Sequence, residues 1–334
     1  MKATVLIAKI YKQMKVEISM AEFFMATSIR RLAGLIADKT GNRKIEDSLT
    51  GPFSPVEPVE KKDYYGISSA QRRLYILQQM EVNTPVYNMP QIAVLEGVID
   101  KDRLQSTFRG LIRRHESLRT SFPEVGGEPV QRVHEAVEFE IEYDGTLVDG
   151  GLSLKKGPGS GEVSSLYIDS FVRPFDLSQA PLFRVGLIEQ GKEKNILLVD
   201  MHHIISDGVS QGLLNRDFMA LYAEPDRLAS LRIHYKDYSQ WQESESQKQA
   251  IKTQETYWLK QFPGEIPVLE IPTDFPRPAV QSFEGQTLAF EIGSLETRAI
   301  KKLAQQMGMT LFMVLVGAFD ILLSKLNGAG GEDI

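Results

Sequence analysis

The sequence predicts an α/β (α+β) fold, and three observations carry the prediction. From about residue 67 onward, short apolar runs of strand length are interspersed with long amphipathic helical patterns. The composition, 42% hydrophobic and 25% charged, is that of a globular chain able to pack a core. A length of 334 residues, at roughly 150 per domain, suggests about two domains.

The elements follow in order. Residues 1–38 read as a small helical piece. Val5, Ile7, Ala8, Ile10 and Tyr11 give a helix-like face, and a second helix starts near Ala21. Thr27-Ser28 offers an N-cap for a third helix over residues 29–37, with Leu32, Leu35 and Ile36 on one side. A piece of about forty residues is below the size that usually folds alone, so it is expected to be the tail of something larger. Residues 39–63, rich in Pro, Gly, Ser and charge, read as an exposed inter-domain linker.

Beyond Ile67 the pattern is regular. Residues 71–79 are expected to be helical, residues 92–95 a strand, and residues 102–115 a helix with Leu104, Phe108, Leu111 and Ile112 inward. Strands are expected around 130–133 and 139–143. Residues 144–165 hold six glycines and a proline and read as a surface loop. Those glycines do not stand between a strand and a helix, as a phosphate loop requires. An apolar strand over 196–201, broken only by Asp200, leads to a helix over 210–222. A strand at 288–292 and helices at 295–306 and 311–326 complete the chain.

Composition excludes several function classes. With no cysteine there is no disulfide, thiolate metal site or cysteine nucleophile. A net charge of −6 argues against a nucleic-acid partner. The N-terminus lacks a small-residue cleavage site after an apolar core. The longest apolar stretch, residues 311–326, contains Asp320, Ser324 and Lys325 and falls short of the ~20 apolar residues of a span. It is expected to be a buried amphipathic helix, and the protein a cytoplasmic one without a membrane tether.

One constellation carries chemistry. His202 and His203 stand at the end of an apolar strand, with Asp207-Gly208 four residues further on. Strand alternation sends the two histidines to opposite faces, so one can face a cleft while the other is packed. A neutral imidazole near pH 7 can take or share a nucleophile's proton, which suits His203 to catalysis. Asp207 could fix the strand-to-helix turn by pairing with an arginine, and Gly208 would let the backbone turn tightly. Two other readings stand beside this one. The histidines could be a buried structural pair, or His203 and Asp207 could contact a metal ion. For an ion the other three histidines lie far away in sequence.

H-H-x-x-x-D-G after an apolar strand resembles the signature of condensation domains of nonribosomal peptide synthetases, and more loosely that of chloramphenicol-acetyltransferase-like acyltransferases. Further motifs stand in the family's order. Ser68-Ser69-Ala70-Gln71-Arg72-Arg73-Leu74-Tyr75 resembles S-x-A-Q-x-R-[LM]-[WY]. Arg114-His115-Glu116-Ser117-Leu118-Arg119-Thr120-Ser121-Phe122 resembles R-H-E-x-L-R-T-x-F. Arg173-Pro174-Phe175-Asp176-Leu177 and Ala180-Pro181-Leu182-Phe183-Arg184 match a further stretch. Tyr235-Lys236-Asp237-Tyr238-Ser239-Gln240-Trp241 is similar to Y-x-D-Y-x-x-W, and Tyr257-Trp258-Leu259-Lys260 and Pro272-Thr273-Asp274-Phe275-Pro276-Arg277-Pro278 also look like the family.

The resemblance implies a chloramphenicol-acetyltransferase-like two-lobe fold and amide formation between carrier-bound thioesters. It implies His203 as the catalytic residue, with His202, Asp207 and Gly208 supporting it. Arg73, Arg114 or Arg119 is the implied salt-bridge partner of Asp207. His115 is expected to be a helix-end packing residue, Tyr238 and Trp241 core or lobe-interface aromatics, and Arg184 a support of the sheet. No metal or cofactor is implied for the chain itself, because phosphopantetheine arms of carrier domains deliver activated substrates. The implied partners are upstream and downstream peptidyl carrier domains and an adjacent adenylation domain. The Ser206-Asp207-Gly208-Val209-Ser210 stretch looks like the subtype joining two L-configured residues.

The implied domains are a partial peptidyl carrier domain over 1–38, a linker over 39–63, an N-terminal lobe over 64–245 and the start of a truncated C-terminal lobe over 246–334. The carrier motif G-G-[HD]-S, whose serine takes phosphopantetheine, is expected just before Met1 and is absent. The glycine-rich stretch 144–165 replaces what resembles a helical segment in relatives. Two alternatives remain: a stand-alone acyltransferase using coenzyme A thioesters, and a non-catalytic carrier-docking fragment.

Overall fold

Capping chemistry and apolar spacing set the helices at the start of the chain. α1 (Lys2–Met14), α2 (Met20–Met25) and α3 (Ile29–Gly41) accompany a small core of Ile10, Val16 and Ile18, against which Phe23, Leu32, Leu35 and Ile36 pack. α2 starts at a capping box. The Ser19 hydroxyl accepts from the Glu22 amide at 3.2 Å, and the Glu22 carboxylate accepts from the Ser19 amide at 2.8 Å. α3 runs on to Gly41, past its expected end at Ala37.

The computed structural model describes residues 2–26, 28–41, 55–81, 83–144, 170–189, 193–225, 227–266, 268–269, 271–279, 285 and 288–327. The loop expected over 144–165 therefore lies outside the described residues apart from Asp144, as does the linker over 42–54. The chain divides into two compact units, Ser54–Gln254 and Met1–Phe53 with Glu255–Ile334.

The unit Ser54–Gln254 holds two sheets. β1 (Tyr65–Gly66) is followed by α4 (Ser69–Met80), β2 (Gln91–Glu96) and α5 (Lys101–Arg114). A 3₁₀ turn (Glu116–Arg119) leads to β3 (Thr120–Ser121), β4 (Glu124–Val125) and β5 (Glu128–Val133). β6 (Glu142–Asp144), β7 (Phe183–Glu189) and β8 (Lys194–Met201) precede α6 (Gly208–Ala223), α7 (Tyr235–Gln242) and α8 (Glu245–Gln261). The larger sheet has the order β2-β8-β7-β6, with β2 and β7 antiparallel to β8 and β6 parallel to β7. In the smaller one β5 pairs with β1, β3 and β4. Its β4–β5 hairpin turns on Gly126 and Gly127, both at positive φ (63° and 82°), which a two-residue loop of this kind requires.

The core lies between α5 and one face of the larger sheet. Leu104, Phe108, Leu111 and Ile112 are each at most 5% exposed, as the helical spacing predicted. They belong to one cluster with Phe183, Val185, Leu187, Leu197 and Met201 from β7 and β8. Complete burial of such a side chain contributes about 1.5–3 kcal/mol. Alternation sends Ile188, Ile196 and Leu198 to the opposite face, where they meet Phe171. Gly186 is needed there, because a Cβ on it would stand 2.9 Å from the Phe171 ring.

Three expectations differ from the structure. The strand expected over 139–143 is paired only from Glu142. Before it, the Gln105 side chain donates to the Phe139 carbonyl (2.8 Å) and accepts from the Ile141 amide (3.0 Å), taking the place of a ladder. Residues 288–292 form no strand, since a strand needs a ladder partner and none pairs with them among the described residues. α10 (Leu311–Asn327) packs against α9 (Ser294–Gln306) but buries none of its residues, and Phe312 is 74% exposed. Its apolar residues run all round the helix, so no single partner helix covers them. No single helix among the described residues is long and apolar enough to cross a membrane, and α9 and α10 are bent apart by 106°.

Candidate active site

The site is the junction between β8 and α6. The His202 amide donates to the Leu182 carbonyl (3.0 Å) and the His203 amide to the Tyr87 carbonyl (2.8 Å), so backbone bonds hold both histidines. A tight turn follows, with the Ile205 amide on the His202 carbonyl (3.2 Å) and the Ser206 amide on the His203 carbonyl (3.4 Å). Asp207 then caps α6, its carboxylate accepting from the Ser210 amide at 2.7 Å.

The two histidines diverge as alternation requires. His202 is fully buried between Tyr87 and Phe175. Its Nδ1 accepts from the Ile204 amide (3.0 Å), so the proton sits on Nε2, which donates to Gln78 Oε1 (3.2 Å). Burial, with some help from the charge of His203, pushes its pKa down to about 4. It is a neutral structural imidazole. His203 is exposed, and among the described residues no hydrogen bond holds its ring. It lines a pocket of about 160 Å³ with Leu74, Phe122, Ile205, Ser206 and Tyr235.

The expected ion pair of Asp207 with an arginine is not formed. The Ser210 amide and hydroxyl hold the Asp207 carboxylate below its ordinary pKa, so the helix end takes the role assigned to an arginine. Arg114 Nε instead donates to Asp217 (2.8 Å), which is 1% exposed and also receives Arg216 (2.8 Å) and His115 Nε2 (3.0 Å). Burial works against the Asp217 charge, yet the Arg114 and Arg216 bonds prevail and its pKa lies below normal. Burial lowers the pKa of His115 despite the Asp217 bond. Arg119 spans the His134 carbonyl and Glu116. Arg73 is exposed, with no hydrogen bond or ion pair among the described residues. Gly208 also departs from expectation: it is the first residue of α6, its φ is not positive, and a Cβ would meet nothing within 4 Å.

Arg184 does brace the sheet. Its guanidinium donates to the carbonyls of Phe171 (3.1 Å) and Arg173 (2.7 Å), lies 3.7 Å over the Phe175 ring and stands 3.6 Å from Asp200. Burial lowers its pKa to about 10, which leaves it charged at neutral pH. Asp200, wholly buried on the face of β8 away from α5, has its pKa raised by burial and accepts from Asn88 Nδ2 at 2.7 Å. Tyr238 and Trp241 are half-buried neighbours with ring centroids 5.7 Å apart. No group of three or more His, Asp or Glu side chains suited to a metal ion occurs among the described residues.

Sequence reasoning missed Gln78, Tyr87 and Ser206. Gln78 had a signal: it stands seven residues after Gln71, two helical turns along one face, and both glutamines are buried.

With strand, turn and helix in place, the chain can be set beside known proteins. Its fold is similar to that of the X-domain from teicoplanin biosynthesis, with a TM-score of 0.67 and 22% identity over 83% of this chain and 60% of that one. It is also similar to the first condensation domain of the CDA synthetase, with a TM-score of 0.59 and 18% identity over 80% of this chain and 64% of that one. The architecture is thus the chloramphenicol-acetyltransferase-like fold of condensation domains. The model of the Condensation domain family matches residues 61–332, and the chain belongs to that family. Bacitracin synthase 2 of Bacillus licheniformis is 44% identical to it over 334 residues, 100% of this chain and 12% of that protein. The chain therefore spans about an eighth of the length of this relative.

Proposed function

We propose that the chain acts as a condensation domain of a nonribosomal peptide synthetase, forming an amide bond between carrier-bound thioesters. The observation that carries the reading is His203: an exposed imidazole without a ring partner among the described residues, fixed by its backbone at the mouth of a pocket, in a chain of the condensation family. The neutral His202 behind it keeps the turn in place without competing for a proton.

The donor is an aminoacyl or peptidyl thioester on an upstream peptidyl carrier domain. The acceptor is the free α-amine of an aminoacyl thioester on a downstream one. Phosphopantetheine arms present both, and an adjacent adenylation domain selects and activates the incoming amino acid. An α-amine has a pKa of about 7.7–8.0, so a fair fraction is already neutral at pH 7.5. His203 positions that amine, takes its proton as the C–N bond forms, and passes the proton to the departing thiolate. The thioester supplies the activation, so this step calls for neither nucleotide nor metal.

The domain reading follows the same line. Residues 1–38 are the latter part of a peptidyl carrier domain, 39–63 a linker, 64–245 the N-terminal lobe and 246–334 the first part of the C-terminal lobe. The separate small core around Ile10 supports this, as does the match of bacitracin synthase 2 to the whole chain, residues ahead of the family match included.

The test is a single-turnover reaction between two loaded carrier proteins, with the amide product followed by mass spectrometry. Product supports the reading. Turnover of acyl-coenzyme A with a free amine, without carriers, would favour a diffusible-thioester acyltransferase, and carrier binding without product a docking fragment.

A further inference from the structure

Most of the polar side chains around His203 are committed to other groups of the protein. Gln131 Nε2 donates to the Gly66 carbonyl (2.8 Å) and the Ser239 hydroxyl (3.0 Å). Lys236 is paired with Glu116 at 2.5 Å, and the Tyr235 hydroxyl with that of Ser68 at 3.0 Å. The Thr120 hydroxyl donates to the Glu116 carbonyl at 2.7 Å.

Ser206 differs. It lines the same pocket and is 7% exposed, and its buried hydroxyl has no hydrogen-bond partner among the described residues. Buried hydroxyls are ordinarily bonded, because leaving one unmet works against folding. Its amide closes the turn onto the His203 carbonyl, so the unmet hydroxyl is carried by the same short turn as the imidazole. A group kept at a cost to the free protein, beside a reactive residue, is what a site prepared for a ligand looks like.

We propose that the Ser206 hydroxyl donates a hydrogen bond to the carbonyl oxygen of the thioester under attack. The proposal rests on the amide-forming reaction proposed above. The amine nitrogen gives its lone pair to the carbonyl carbon, and the C=O π pair moves onto oxygen, where the Ser206 O–H meets the new charge. The amine proton passes to His203. When the oxyanion re-forms the C=O bond, the C–S bond breaks and the thiolate takes that proton, leaving amide and free thiol. Ser206 keeps its own proton throughout. The amine uses its lone pair and its proton in the reaction, so the developing oxyanion is the partner that lacks a donor. A donor held in a desolvated wall is most effective there.

The experiment measures single-turnover amide formation between loaded carrier proteins, and the melting temperature in parallel, for wild type, Ser206→Ala, Ser206→Thr and His203→Ala. Ser206→Ala is expected to be about 100-fold slower while melting at the wild-type temperature or above it. Ser206→Thr, which keeps a hydroxyl, is expected to recover most of the rate. A Ser206→Ala protein at wild-type rate, with His203→Ala slow, overturns the role of Ser206 and leaves the proposed function standing. Ser206→Ala slow only together with a lowered melting temperature makes the residue structural and also overturns it. Wild type without product, or His203→Ala at full rate, removes the proposed function and this inference with it.

Discussion

His202 and Gln78 form a donor–acceptor pair inside the fold: His202 Nε2 lies 3.2 Å from Gln78 Oε1, and Nδ1 is taken by the Ile204 amide. Both side chains are at most 2% exposed. The pair joins α4 to the turn that presents His203. Replacing Gln78 by Leu leaves the imidazole N–H buried and unmet, and is expected to cost about 1–3 kcal/mol. Urea unfolding of Gln78→Leu against wild type checks this.

The same imidazole sets a pH dependence. Folding lowers the pKa of His202 from 6.5 to about 4, so between these values the unfolded chain binds a proton that the folded one refuses. Its contribution is intact above about pH 6.5 and is lost as the pH falls toward 4, by about 3 kcal/mol. Burial lowers the pKa of His115, His134 and His234 too, so the reference is His202→Gln. Urea midpoints from pH 7 to 4 are expected to fall more steeply in wild type than in that variant.

Asp217, on α6, is the buried anion that ties this helix to the end of α5 through Arg114 and His115, and it also pairs with Arg216 of its own helix. Asp217→Asn leaves the Arg114 guanidinium without its counter-charge and is expected to cost about 3 kcal/mol. Thermal unfolding reads it directly, and an unchanged melting temperature would show the cluster to be dispensable.

Much of this was legible in the sequence. The α5 face, Leu104 to Ile112, follows from helical spacing, and the opposed fates of His202 and His203 follow from strand alternation. Other features depend on partners that one-dimensional patterns do not reveal. Gln105 satisfies the backbone before β6, which alternation alone reads as strand. Asp207 turns to the end of its own helix and Arg114 to Asp217, a choice set by distances in three dimensions. The apolar pattern of α10 predicted burial, but among the described residues its packing against α9 buries none of its side chains. Ser206 carried no signal beyond its place between His203 and Asp207.

Two glycines make opposite predictions. Gly186→Ala sets a methyl against the Phe171 ring and is expected to cost about 1–3 kcal/mol. Gly208→Ala meets open space at the first position of α6 and is expected to leave stability unchanged or raise it by about 0.5 kcal/mol. Melting temperatures of the two variants, measured side by side, are expected to move apart.

The proposed chemistry turns on His203, and not His202, acting on the attacking amine. The direct measurement is the single-turnover rate of amide formation between loaded carriers for wild type and His203→Ala, with melting temperatures recorded on the same preparations. A loss of about 10²–10⁴-fold is expected at an unchanged melting temperature, because the His203 side chain is exposed and makes no ring hydrogen bond among the described residues. A variant that forms amide at the wild-type rate would contradict it.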